Sequence, residues 1–190
     1  MSNKNKARQG FTLIELLVVI AILAVLMVVV VITLNPSELL KQSRDSNRLS
    51  DMATLKTAVS LFQTDVATTS ALGVASRCYA SVASAGCASG VQFVSVTASS
   101  TGDRTVGGAG WLPLNFNLIS SGAPISQLPI DHLNNTSVYF YGFEASGTAL
   151  FKLTMKPEST KFQQSGSGDV TSVDGGSYPT IYETGPGMTL

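Results

Sequence analysis

"RQGFTLIELLVVIAILAVLMVVVVI", Arg8 to Ile32, is the stretch that decides how this chain is built. From Phe11 to Leu34 there are 24 residues, and Glu15 is the one charge among them. As a helix they would reach about 36 Å at 1.5 Å per residue, against a hydrocarbon core of about 30 Å. Lys4, Lys6 and Arg8 precede the run, with no acid in the first ten residues. Short basic flanks stay in the cytoplasm, so the C-terminal part is expected outside. A secretory signal would have about 7–15 apolar residues and a small-residue cut site. Here the run is longer and ends in "ITLNPSELL", Ile32 to Leu40. A plain signal anchor accounts for everything except Glu15. A carboxylate at membrane depth costs up to about 2.5–3.5 kcal/mol, and such groups are functional by default.

The string "GFTLIELLVVIAIL", Gly10 to Leu23, resembles the processing site of type IV prepilins and pseudopilins. In that family a short basic leader ends in Gly, a membrane peptidase cuts after it, and the new first residue, usually Phe, is N-methylated. Glu stands fifth in the mature chain. The resemblance implies a leader Met1–Gly10, a cut between Gly10 and Phe11, methylation of Phe11, and Glu15 as the fifth residue. Gly10 has no side chain, so a peptidase can approach its backbone closely. The cut would create a positive α-amine on Phe11. In a filament, Glu15 paired with the α-amine of a neighbouring subunit would fix one axial register among otherwise interchangeable apolar surfaces. Many type IV pilins carry a helix-weakening Gly or Pro in this run. None lies between Phe11 and Asn35 here, so partial melting of the helix is not expected.

A second helix is predicted over residues 35–66. Asn35, Pro36 and Glu38 form a good start: a capping side chain, Pro at the first helical position and an acid three after the cap. Leu49, Met52, Leu55, Val59, Phe62 and Val66 recur at helical spacing as one apolar stripe. Asp45, Arg48, Asp51, Lys56 and Asp65 fall off it. The stripe reads as the core face of a globular domain, with a kink near Asn35-Pro36. The pattern is too short, and too polar from Lys41 to Asn47, for a coiled coil.

Residues 67–190 read as loops and short strands. "GVQFVSVTA" (90–98) alternates weakly, whereas "TSVYFYGFE" (136–144) and "TALFKLTMK" (148–156) are the best strands, with a hairpin turn in "EASGT". Trp111, Leu112, Leu114 and Phe116 supply more core. The expected fold class is α+β, with a small antiparallel sheet of three or four strands packed on the Leu49–Val66 stripe. The arrangement resembles that of pilins, which implies one long N-terminal helix with a protruding apolar half and an amphipathic half packed on the sheet. The domains are a leader (1–10), a transmembrane and polymerisation helix (11–34), an amphipathic helix (35–66) and a β-rich head (67–190). "LPIDHLNNTSVYFYGF" is similar to the segment entering the sheet of secretion pseudopilins, with Leu128, Pro129, Asp131, Asn134, Tyr139 and Tyr141 in the matching places.

Cys78 and Cys87, with eight residues between them, do not have CxxC spacing. Outside the cytoplasm a disulfide closing a small loop is expected, contributing roughly 2 kcal/mol; the alternative is two unpaired thiols. Some pseudopilins bind calcium in a C-terminal loop, which makes Asp169 and Asp174 candidate metal ligands, since hard cations take oxygen donors. The spacing is not that of an EF-hand, and a plain turn at Asp174-Gly175-Gly176 is the other reading. Otherwise no cofactor is expected. Asn134-Asn135-Thr136 and Asn135-Thr136-Ser137 match the glycosylation sequon.

Charged residues are 13% of the chain and formal net charge is zero. Beyond the first ten residues, 9 basic groups face 12 acidic ones, a formal −3. That argues against nucleic acid as a partner, which calls for a basic face. The single histidine, His132, has no nucleophile or ligand set around it in sequence, and no catalytic or phosphate-binding motif appears, so no enzyme is predicted. The expected function is a pilin or pseudopilin subunit of a type IV pilus-like filament. The expected partners are copies of itself, the prepilin peptidase, the membrane, and an assembly platform with its ATPase. It would sit in the cytoplasmic membrane, C-terminus outside, before joining a surface or periplasmic filament. The rival is a membrane-anchored extracytoplasmic binding module that does not polymerise.

Overall fold

Two helices and a small sheet account for most of the regular structure, in a computed structural model that describes residues 10–66, 72, 77–82, 97–100, 103–134, 138–146 and 150–188. The chain divides into two units, Met1–Leu39 and Leu40–Leu190.

In the first unit, α1 spans Leu13–Leu34 without interruption. It is long and apolar enough to cross a membrane. None of its residues is buried, so its apolar surface is left uncovered among the described residues of its unit. Thr33 returns its hydroxyl to the Val29 carbonyl one turn back (2.8 Å), which satisfies that polar group within the helix. The helix closes at Asn35, which takes left-handed dihedrals (φ 42°, ψ 73°). Asn is among the few non-glycine residues that tolerate this region. Pro36 then opens α2, Pro36–Val66, and Glu38 N–H reaches the Asn35 carbonyl (3.0 Å) and its side-chain Oδ1 (3.4 Å). The expected break at Asn35-Pro36 is thus a local backbone feature with a cap of its own.

The second unit is organised by the expected stripe. Met52, Leu55, Val59 and Phe62 are buried, joined by Ala58, and Leu49 and Val66 pack at the margin of the same cluster. Against them lie Phe143, Phe151, Leu153 and Met155 of the sheet, with Trp111, Leu112, Leu114, Phe116 and Leu128. Phe62 and Phe116 meet edge to face, with centroids 5.9 Å apart. The Trp111 indole N–H is satisfied by the Pro129 carbonyl (3.1 Å).

The sheet comprises β1 (Arg77–Ala80), β2 (Thr97–Ser100), β3 (Gly142–Ser146), β4 (Leu150–Met155) and β5 (Tyr182–Thr184), in the order β2-β1-β3-β4-β5. The four strands β1, β3, β4 and β5 pair antiparallel, as predicted; β2 adds a parallel edge to β1 that the sequence did not suggest. Strands β3 and β4 form the expected hairpin, registered from Gly142 opposite Thr154 to Ser146 opposite Leu150. The first strand starts later than "TSVYFYGFE" implied. Tyr141 N–H goes to the Ser81 hydroxyl and its carbonyl accepts from Ser81 N–H, both at 2.9 Å, ahead of the strand proper. Residues 90–96 of "GVQFVSVTA" lie outside the described residues.

Alternation along β4 sends Phe151, Leu153 and Met155 to the α2 side and Lys152 and Thr154 to the other. The second face is not left to water: Lys152 and Thr154 are also buried. On β1, Tyr79 joins the main core, while Cys78 and Ala80 pack with Val82 and Phe140 in a second, smaller cluster.

Candidate functional site

Gly10 and Phe11 are both exposed at the start of the described chain, Phe11 to 93%. Among the described residues, chain neighbours aside, no atom lies within 4 Å of where a Gly10 side chain would project. Two residues on, Thr12 adopts extended dihedrals (φ −79°, ψ 152°) and caps α1. Its hydroxyl accepts from Glu15 N–H (3.3 Å). In return the Glu15 carboxylate accepts from Thr12 N–H and from the Thr12 hydroxyl, both at 2.8 Å. This is a reciprocal capping box, and it satisfies orphan donors of the first turn. The acid also lies at the positive end of the helix dipole. Glu15 therefore has a partner inside its own chain, which the sequence reading did not give it. The signal was present: Thr-x-x-Glu before an apolar run is the capping-box pattern.

In the second unit Asp131, Tyr139 and Tyr141 of "LPIDHLNNTSVYFYGF" converge on α2. Asp131 forms a two-pronged pair with Arg48, to Nε (2.6 Å) and Nη2 (2.9 Å). Arg48 also donates to Asp45 one turn before it (2.7 Å) and stacks its guanidinium 5.2 Å from the Tyr139 ring centroid. Asp45 in turn accepts from the N–H groups of Glu158 and Ser159, the loop after β4. Glu158 bonds Arg44. Tyr141 donates its hydroxyl to Asp51 (2.7 Å), and Asn134 brackets Ser81 through both side-chain atoms. Asp45 and Arg48, placed off the apolar stripe in the sequence, are fully buried. Periodicity counts apolar residues and cannot see a buried ion pair whose other half is 83 residues away. Burial opposes the Arg48 charge, but the hydrogen bonds to Asp131 and Asp45 outweigh it and hold its pKa above the ordinary value. The arrangement anchors loops to a helix. It offers no open nucleophile or general base.

His132 is exposed, with Nε2 3.3 Å from Asn47 Nδ2. Asp169 accepts from Ser165 N–H, Thr171 N–H, and the N–H and hydroxyl of Ser172. Those bonds, the Ser172 hydroxyl foremost, hold it well below the usual carboxylate range. Asp174 accepts from Gly176 N–H (2.8 Å) and Glu183 N–H (2.7 Å). Both candidate metal ligands thus direct oxygens into their own loop, and Gly175 takes the positive φ (86°) of the plain turn. No group of three His, Cys, Asp or Glu side chains suited to a metal occurs among the described residues. Cys78 is buried and disulfide-bonded. Cys87 lies outside the described residues, as do Asn135 and Thr136 of the sequons.

Comparison with known proteins places one family model on the chain, the prokaryotic N-terminal methylation motif, over residues 5–31. That motif is the prepilin and pseudopilin signature, and here it coincides with the capped start of α1. No curated protein and no solved structure matches the chain.

Proposed function

With the methylation motif as its premise, we propose that this chain is a precursor subunit of a type IV pilus-like filament, pilin or pseudopilin. In this reading a prepilin peptidase removes Met1–Gly10 and methylates Phe11. The subunit waits in the cytoplasmic membrane through α1, with the second unit outside, and then polymerises through α1. The observation that supports it best is the coincidence of the motif with a 22-residue apolar helix none of whose residues is buried. Such a surface is stable only against lipid or other apolar helices. Nothing positive points to catalysis.

Glu15 has a specific part in this scheme. Its carboxylate leaves Thr12 for the α-amine of an adjacent subunit, and that exchange sets the axial register. Outside the cytoplasm Cys78 pairs with Cys87, the chain's only other cysteine. Calcium held by Asp169 and Asp174 is a lesser proposal, tested by melting the protein with and without chelator; an unchanged melting temperature counts against it.

Mass spectrometry of the mature protein tests the main reading. A chain beginning at N-methyl-Phe11 is expected. A chain still starting at Met1 in membranes would overturn it and favour a non-polymerising anchored module. Glu15→Leu is expected to insert and be cleaved normally while filament yield falls sharply. A normal yield would remove Glu15 from the register-setting role.

A further inference from the structure

Three charged side chains meet on the sheet face that points away from α2. Lys152 on β4 is 1% exposed, with Glu183 of β5 at 3.2 Å and Glu144 of β3 at 3.9 Å. Glu183 is 1% exposed and Glu144 9%, so one cation serves two anions with little access to water. Their positions are not equivalent. Glu183 Oε2 also accepts from Tyr178 N–H (2.9 Å), in the segment that leads into β5. Glu144 has only its longer approach to Lys152 among the described residues. Across the sheet Glu144 faces Cys78 on β1 and Lys152 on β4. Cys78 is disulfide-bonded and does not titrate. The Tyr178 ring lies 5.9 Å from Lys152 Nζ. Glu183 Oε1 has no hydrogen bond, but it lies 3.2 Å from the Lys152 charge, so among the described residues the surplus negative charge falls on Glu144, whose approach to Lys152 is 3.9 Å.

We propose that Glu144 is the proton-binding switch of a clasp in which Lys152 and Glu183 hold β5 against β4. Protonated, Glu144 gives up its claim on Lys152, the cluster is electrically balanced, and β5 is held firmly. Ionised, it leaves a buried anion without adequate partners, and local opening of β5 relieves this by admitting water. The direction of titration supports the geometry. Burial raises the Glu144 pKa, attraction to Lys152 lowers it and repulsion from Glu183 raises it again, with a net rise. A carboxyl raised on folding binds its proton more tightly in the closed form. The clasp is thus strengthened as pH falls through the raised value, and gains nothing more below the ordinary glutamate value. This is opposite to the behaviour of a carboxylate held by a salt bridge. The inference does not depend on filament assembly.

Hydrogen exchange of the full-length chain in detergent micelles provides the test, with rates divided by the intrinsic rate at each pH. The amides of Tyr182–Thr184 are expected to exchange about three- to tenfold more slowly near pH 5 than near pH 8. In Glu144→Gln the slow, acid-like rate is expected at both values. Equal wild-type protection at the two pH values would overturn the proposal, and so would an undiminished pH dependence in E144Q. A 13C-carboxyl titration of Glu144 in the wild-type chain decides the matter independently of that variant's folding. A midpoint above the ordinary glutamate value is expected, and a midpoint at or below it would overturn the switch.

Discussion

Replacing Arg48 by Met keeps the stem's volume and deletes the charge that joins α2 to two loops. Arg48 is 0% exposed and its partners Asp45 and Asp131 are 0% and 1% exposed, so the lost charge leaves carboxylates that water cannot easily reach. Breaking a buried pair from one side costs about 3–5 kcal/mol. The two acids are not equally stranded. Asp45 keeps three hydrogen bonds, from Glu158 and Ser159 N–H groups. Asp131 loses both prongs of the arginine and keeps Leu133 N–H at 2.8 Å and Asn134 N–H at 3.4 Å, both on Oδ1. Most of the penalty therefore sits on Asp131. The expected cost of Arg48→Met is about 3 kcal/mol, at the lower end of that range, with Asp131→Asn in the same chain recovering at least about 1 kcal/mol.

The second unit spans Leu40–Leu190. For a unit of that size each kcal/mol moves the melting temperature by about 2–4 °C, so Arg48→Met should lower it by about 6–12 °C. Thermal unfolding of the full-length chain in micelles, followed by near-ultraviolet circular dichroism of the buried Trp111, gives the readout. A shift under about 2 °C would refute the reasoning, because the carboxylates would then have found water or another partner. Failure of Asp131→Asn to recover anything would refute the assignment of the penalty.

Gly185→Ala should destabilise by about 2 kcal/mol or more, measured by the same melt. Gly185 has φ +142°, and an added Cβ would lie 2.2 Å from the backbone oxygen of Phe151. Glu158 gives an acid-side prediction. The Arg44 hydrogen bond holds its pKa below the ordinary value, so it adds stability that is present above the ordinary glutamate range and lost as pH falls through the lowered value. Glu158→Gln should flatten that part of the acid limb, and an unchanged limb would show that the pair contributes nothing. Thr12→Val removes the hydroxyl half of the capping box and should cost about 1 kcal/mol of helix end, seen as faster exchange of the amides from Ile14 to Leu17.

The elements were legible where one residue class recurs at one period. Met52 to Phe62 gave α2 its buried face, and Phe151, Leu153 and Met155 gave β4 its inward face. What stayed hidden depends on partners distant in sequence. Arg48 reads as a solvated charge until Asp131 is brought to it. Lys152 reads as the wet side of a strand until Glu183 and Tyr178 close over it. β2 is four residues of Thr, Ala and Ser, a composition that carries no strand period, and its pairing with β1 is decided by the fold alone. Of the N-terminal site, Gly10, Phe11 and Glu15 could be read directly because their spacing is local. Thr12 is equally local: Thr-x-x-Glu ahead of an apolar run is the capping-box pattern.

The Thr12 cap changes the energetics of Glu15. An acid stranded in an apolar helix would drive assembly by the whole cost of its isolation. Glu15 is not stranded: it holds two hydrogen bonds from Thr12 and sits where the helix dipole favours an anion. If an α-amine from a neighbouring subunit takes it over, only the difference between the two sets of partners drives the step. A hydrogen bond to a charged group contributes about 1.5–3 kcal/mol, and a close ion pair shielded from water exceeds that only when its geometry is good. In the proposed filament the exchange would then be favourable at one axial offset and unfavourable at others, where the carboxylate would do better staying with Thr12. In such a filament a local cap of this kind would sharpen register selection, because a misplaced neighbour would have to compete with a partner already in place.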